Sequence, residues 1–386
     1  MRVALIGNMN NNYFALMRYM RDMGIDAELL MYKDEGAHFA PENDTAEIEK
    51  WQPYIKQTNL NGGLSQFIKL SANDIRKEFG KYDYYIGCGF TPAYFYKAGM
   101  ILDLFTPYCV GIEYTYRITK TKPIHYFKEY IEAYYQKKGL IHNTKQIGTI
   151  DEESRLKALK LRMQIISLPL LMIYNKEAAS IPDESVQHVI DKLVQHYPVV
   201  FSHVSHYPSG SITNSIKRND VLIRGFAEFV INNQLRAKPL LVLFDYGNGV
   251  NESKELIKSL GIDDKVLWLP VMSRKNIMQL LNYVQLGGGE FGGAIWGGTA
   301  WEFMAAGVPF FQYVNMTEDE FKHKTGMEMP AFINTNSPEI IAENITELVS
   351  DSTVLKQKGE ALKNWFNANA GEKLADRYVQ ILLTGS

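Results

Sequence analysis

The residues best suited to chemistry lie close together. From 284 to 314 the chain reads VQLGGGEFGGAIWGGTAWEFMAAGVPFFQYV, with seven glycines between Gly287 and Gly298. Glycine lets a backbone adopt positive φ and approach a ligand without a Cβ in the way. Thr299, with Glu302 three residues later, has the spacing of a capping box that would start a helix there. Gly307 is placed to end that helix, and Val308-Pro309 to begin a strand. A glycine loop leading into a helix N-terminus can cradle an anion, because free N–H groups and the helix dipole both favour phosphate. It can equally be a structural turn, with Glu302 doing no more than bonding backbone at Thr299. The stretch matches neither G-x-G-x-x-G after a first strand nor G-x-x-x-x-G-K-[ST], which disfavours a dinucleotide fingerprint and a P-loop.

The elements around this stretch predict an α/β protein of two lobes. Residues 2–7, RVALIG, read as a buried strand, followed by an Asn-rich turn at 8–12, a helix over 13–23 and a strand over 26–32. That is a βαβ unit and calls for a parallel sheet. The turn holding Asn10 and Asn11 falls at the carboxyl end of the first strand, where open α/β sheets take ligands; plain turn chemistry explains asparagines there as well. Residues 33–63 read as a long irregular excursion. A helix over 65–79, a strand over 82–88, a helix over 92–103 and a strand over 108–112 follow. Glu113 then stands at a strand's carboxyl end, placed for a sugar hydroxyl or for an ion pair with Arg117. Two further strands are expected at 146–150 and 164–168.

A polar stretch with Pro182 and Pro198 reads as a link, after which strands and helices alternate again from Val199 into the glycine-rich segment. The expected division is an acceptor-side lobe over 1–172, a linker over 173–198, a second α/β lobe over 199–362 and a C-terminal helix over 363–386. Two such lobes imply a cleft, with the glycine loop facing it.

Composition narrows the function classes. The chain has 386 residues, 46% of them apolar, and a net charge of −2. That balance argues against a dedicated nucleic-acid binder. No run approaches the roughly 18 apolar residues of a membrane span, and the start has no apolar stretch of signal-peptide length. Cys88 and Cys109 read as buried thiols in a reducing compartment, which places the protein in the cytoplasm. No metal-ligating cluster is visible. Residues 117–145 hold seven Lys or Arg against two Glu, with five aromatic residues interleaved. Two readings stay open: a solvated helix face, or peripheral docking on the inner membrane surface.

Four segments, in order, resemble the nucleotide-sugar lobe of GT-B glycosyltransferases, in particular family 4 of the retaining enzymes. They are KRNDVLIRGFAEFV (217–230), LLVLFDYGNG (240–249), LGIDDKVLWLP (260–270) and GGTAWEFMAAGVPFF (297–311). GIE at 111–113 is similar to a first-lobe element. The resemblance implies two Rossmann-like lobes, with the C-terminal helix returning towards the first. It implies transfer of a sugar, of hexosyl type, from a UDP- or GDP-linked donor to an acceptor hydroxyl on a glycan, lipid-linked saccharide or polysaccharide, with retention and without cofactor.

By the same resemblance Glu302 takes the donor ribose, while Gly297, Gly298 and Thr299 offer backbone N–H groups to the diphosphate and Lys217 neutralises it. Asn10, Asn11 and Glu113 fall on the acceptor side. Where the family has a first glutamate this chain has Ala294, and Glu290 is the carboxylate that could replace it. The family's arginine is also absent. Either Arg218 and a protonated His206 supply its charge, or donor binding is weakened. No D-x-D occurs in the sequence, so metal-independent activity is expected. A nucleoside diphosphate sugar epimerase and a non-catalytic sugar-nucleotide-binding protein are the competing readings.

Overall fold

The computed structural model describes residues 1–36, 39–108, 123–150, 163–177, 181–208, 210–211, 217–232 and 238–385. Cys109, Glu113 and the first part of the 117–145 segment lie outside them. The chain forms two compact units. One comprises Met1–Tyr174 with Lys322–Met327 and Asn369–Ser386, the other Asn175–Phe321 with Glu328–Ala368.

The first unit is built on a parallel sheet of β1 (Arg2–Ile6), β2 (Asp26–Met31), β3 (Ile55–Gln57), β4 (Tyr84–Gly87), β5 (Leu102–Phe105), β6 (Thr144–Gly148) and β7 (Gln164–Ile166). Their order is β3-β2-β1-β4-β5-β6-β7. Val3, Ala4, Leu5 and Ile6 are all fully buried, as expected of a central strand covered by helices on both faces. The C-terminal helix Glu372–Thr384 belongs to this unit and contacts helix Asn12–Asp22. Its Leu374, Tyr378 and Ile381 share a core with Phe14 and Met17.

The second unit repeats the plan with β8 (Val199–Ser202), β9 (Leu240–Phe244), β10 (Val266–Leu269), β11 (Leu286–Gly288), β12 (Phe310–Gln312) and β13 (Ile333–Asn334). Their order is β10-β9-β8-β11-β12-β13, again all parallel. Both sheets are doubly wound, and in each the winding reverses beside the first strand, between β1 and β4 and between β8 and β11. Ligands of open α/β sheets bind outside the carboxyl ends of the strands at such a reversal.

Several boundaries differ from the sequence reading. The helix expected over 92–103 ends at Ala98, because Gly99 takes the left-handed conformation (φ +62°) and turns the chain early. A strand follows at Leu102–Phe105, where the helix was expected to continue; its buried Asp103 disguises it by accepting from Tyr85 N–H (2.8 Å) and Lys145 Nζ (2.6 Å), while the strand expected over 108–112 lies, beyond Tyr108, outside the described residues. The excursion over 33–63 contributes β3 to the sheet edge. The expected linker carries helix Glu184–Leu193, whose Val186, Val189, Ile190 and Leu193 form a buried stripe and whose cap, Asp183, accepts from Val186 N–H (2.9 Å). Finally, no break occurs at 363, since one helix runs through Ser352–Asn369. No helix among the described residues is long and apolar enough to cross a membrane.

Candidate functional site

At the reversal of the second sheet the chain leaves β8 into His203 and leaves β11 into Gly289 and Glu290. Opposite them stands helix Gly298–Ala306, in which Trp301, Phe303 and Met304 are buried and Glu302 is buried among them. The expected C-cap is found at Gly307, with φ +72°. The expected capping box is not: Gly297 occupies the cap position, and no side chain caps the helix. Glu302 is instead bonded to two distant residues. Arg274 Nε donates to Oε1 at 2.8 Å, and His203 Nε2 is hydrogen-bonded to Oε2. Burial by itself raises a carboxyl pKa. Here the neighbouring His203 and Arg274 outweigh it and hold Glu302 at about 2. The site thus contains a buried glutamate kept ionised by its partners, acceptor-only and fixed in direction. Two of its roughly four lone-pair positions are used, which leaves room to receive hydroxyl donors.

A second ion pair lies beside it. Lys217 Nζ donates to Glu290 Oε1. Backbone contacts hold the two in register: Phe291 N–H donates to Lys217 O at 3.2 Å, and Glu290 N–H to the side-chain oxygen of Gln312 at 2.8 Å. Glu290 also closes on the start of the helix, since a Cβ at Gly297 would sit 3.1 Å from Glu290 Oε1. Ala294, by contrast, is exposed. Of the two positions weighed for a first glutamate, 290 is the one where a carboxylate meets both the lysine and the helix start.

No protein-family model matches the chain, and no curated protein matches it. Solved structures do match along its whole length. Anabaena HepE, solved with UDP, has a TM-score of 0.62 at 13% identity, with 100% of both chains covered. A glycosyltransferase from Rickettsia africae gives 0.62 at 14% identity, covering 100% of this chain and 99% of that one. WaaG, a glycosyltransferase involved in lipopolysaccharide biosynthesis, gives 0.55 at 15% identity with 100% of both chains covered. The fold is GT-B.

Within this GT-B chain His206 does not carry the charge expected of it. His206 is buried, with Nδ1 2.8 Å from Ser253 Oγ and its ring 5.2 Å from that of Trp268. Burial drives its pKa down to about 4, against a smaller upward pull from Asp245; the imidazole is neutral at neutral pH. Arg218 Nε and Nη2 each bond Asp220 at 3.0 Å. Its backbone is left-handed, with φ +47°, the conformation for which a glycine is the ordinary choice at this place. The residues the sequence reading missed are His203 and Arg274. His203 carries a usable signal, being the first titratable residue after a fully buried strand. Arg274 carries none beyond its place at a helix start.

The reversal of the first sheet has a different chemistry. Asn10 and Asn11 both adopt left-handed φ, 53° and 57°. Asn8 organises the turn: its Oδ1 accepts Phe14 N–H (3.0 Å), and its Nδ2 donates to Asn11 Oδ1 (2.7 Å) and Phe39 O (2.8 Å). Beside it a cavity of about 170 Å³ is lined by Tyr32, Asp34, Glu35, Cys88 and Tyr108, among others. Glu35 accepts from the backbone N–H groups of Asn8 and Tyr32. Burial nonetheless pushes its carboxyl up to about 8.

Proposed function

We propose that this protein is a glycosyltransferase that moves a sugar, of hexosyl type, from a UDP- or GDP-linked donor to an acceptor hydroxyl of a glycan, lipid-linked saccharide or polysaccharide. The observation that carries the reading is the ionised, doubly anchored Glu302 at the reversal of the second sheet, a few residues into a helix whose start no side chain caps. A carboxylate that only accepts, held in a fixed direction, suits a vicinal diol such as that of a ribose. Charged hydrogen bonds of this kind contribute roughly 1.5–3 kcal/mol each.

The helix start at Gly297, Gly298 and Thr299 would then receive the diphosphate through backbone N–H groups, and Lys217 would exchange Glu290 for a phosphate oxygen. Released from Lys217, Glu290 would accept from hydroxyls of the donor sugar. As the anomeric C–O bond to the diphosphate breaks, negative charge builds on the leaving phosphate, and preorganised donors stabilise it without reorganising. The acceptor oxygen bonds the anomeric carbon and its proton passes to the leaving phosphate oxygen. Attack on the face that the diphosphate leaves retains configuration and requires no metal in this scheme. On the acceptor side, Asn10, Asn11 and Glu113 remain the residues we assign to the first unit.

The test is a thermal-shift screen against UDP, GDP, CMP, ADP and dTDP, with and without EDTA, because a ligand bound only by the native state raises its apparent stability. One nucleoside diphosphate should raise the melting temperature, EDTA should not alter the shift, and Glu302→Ala should abolish it. No shift with any of the five would overturn the assignment.

A further inference from the structure

Helix Pro123–Asn143 presents an outward face that the transfer chemistry does not use. Phe127, Tyr130, Tyr134 and Ile141 follow one another by three, four and seven residues, so they fall on one side of the helix. They are 67%, 54%, 47% and 42% exposed. Exposed Ile68 lies across from them, and a groove of about 390 Å³ is lined by Ile68, Tyr130, Ile131, Tyr134 and Tyr135. The rotation of the helix is fixed from behind. Gln136 and Leu140 are buried, and a Cβ at Gly139 would come within 1.9 Å of the Pro92 carbonyl oxygen. The aromatic stripe is thus the face that close packing on helix Thr91–Ala98 leaves outward.

Lysines surround it. Lys69, Lys128 and Lys137 are exposed, and Lys138 places Nζ 5.8 Å from the Tyr134 ring centroid. Against these four stand Glu129 and Glu132, and Glu132 is buried beside Lys128 at 3.8 Å. We infer that this face docks on the surface of an anionic phospholipid bilayer. Tyrosines with an apolar body and a polar tip suit the boundary between acyl chains and headgroups. Lysines flanking them can lay their stems along the rings while their ammonium groups meet lipid phosphates. A second copy fits the face less well, because a two-fold interface sets the same patch against itself and brings like charges together.

The experiment is sedimentation of the full chain with vesicles of phosphatidylcholine alone and of phosphatidylcholine with about 30% phosphatidylglycerol. Wild type should partition onto the anionic vesicles, less so as salt is raised, and not onto the neutral ones. Phe127→Ser/Tyr130→Ser/Tyr134→Ser and, separately, Lys137→Glu/Lys138→Glu should each weaken partitioning at least about tenfold, with circular dichroism confirming that they are folded. If the triple variant does not fold, the charge-reversed pair decides alone. Three results would overturn the inference: no binding by wild type, equal binding to neutral vesicles, or wild-type binding by the folded variants. So would a wild-type dimer that the variants convert to monomer, which would give the face to a second copy. Binding is read without donor, so a negative result here leaves the transfer reading standing, and a failed nucleotide screen leaves this one standing.

Discussion

The two sheets share one winding plan, and each has a glutamate at its reversal, but the two carboxyls are held in opposite states. Among the described residues Glu35 receives two backbone N–H groups and no cation, and burial carries it up to about 8. Glu302 is more deeply enclosed, yet Arg274 and His203 bring it down to about 2. Topology therefore places a carboxyl at the ligand end of both sheets and does not decide its charge. That is decided by which side chains other elements bring to it, and it divides a group suited to donating a proton or hydrogen bond from one that can only accept.

The largest break in the comparison is Glu302→Gln. It removes the buried carboxylate charge that Arg274 and His203 both engage, and removing one partner of a buried pair costs about 3–5 kcal/mol. Denaturant unfolding at pH 7 should show that loss, and turnover of the nucleotide sugar should fall at least about tenfold. Wild-type stability in this variant would mean that the carboxylate is not anchored as the structure has it. Acid titration gives a second reading. The folded pKa of Glu302 lies below its ordinary value of 4.5. Its contribution is therefore present above about pH 4.5 and is lost as pH falls towards 2.

Glu35→Gln should act in the other direction. Its folded pKa lies above 4.5, so between there and pH 8 the folded chain binds more protons than the unfolded one. Stability from this group is full below about pH 4.5 and declines as pH rises through 8, by at most about 1.4 kcal/mol per unit. A neutral amide that can still accept from Asn8 N–H removes the decline. At pH 8 the variant should be more stable than wild type by roughly 4 kcal/mol, and its unfolding free energy should be flatter from pH 5 to 9. An unchanged slope would mean that Glu35 is ionised in the folded chain.

How much of this was legible in the sequence follows the distance over which each feature is determined. Buried runs such as RVALI and VVFS declare themselves as strands, and Gly307 declares the end of its helix, because a local pattern suffices. The helix Glu184–Leu193 was hidden by its polar residues, although its apolar positions repeat at helical spacing. The state of Glu302 could not be read locally. The chain shows Thr299 three residues before it and suggests a capping box, whereas the groups that bind it lie 28 and 99 residues away. The same holds for His206. It stands in FSHVSHYP as an evident cation, and only the packing of Trp268 and Ser253 around it shows that it is held neutral. Glu290, offered from sequence only as a substitute carboxylate, meets Lys217 because Phe291 and Gln312 fix the backbone around it.

Lys217→Ala carries the smallest change in stability and separates the two reversals by purpose. Its side chain is 24% exposed and that of Glu290 9%, so the pair is partly screened and its loss should cost no more than about 1 kcal/mol. Turnover should nevertheless fall at least about tenfold, equivalent to about 1.4 kcal/mol of transition-state stabilisation, because the developing charge on the leaving diphosphate loses its cation. Lys217→Arg should recover part of the rate, since charge is kept while reach and shape change. Glu35→Gln is expected to move stability with little effect on turnover, and Lys217→Ala to do the reverse. Measuring both quantities on both variants would show whether the charged reversal serves the ligand and the neutral one the fold. If Lys217→Ala unfolded the second unit and spared turnover, the ion pair would be structural, and the diphosphate would rest on the helix start alone.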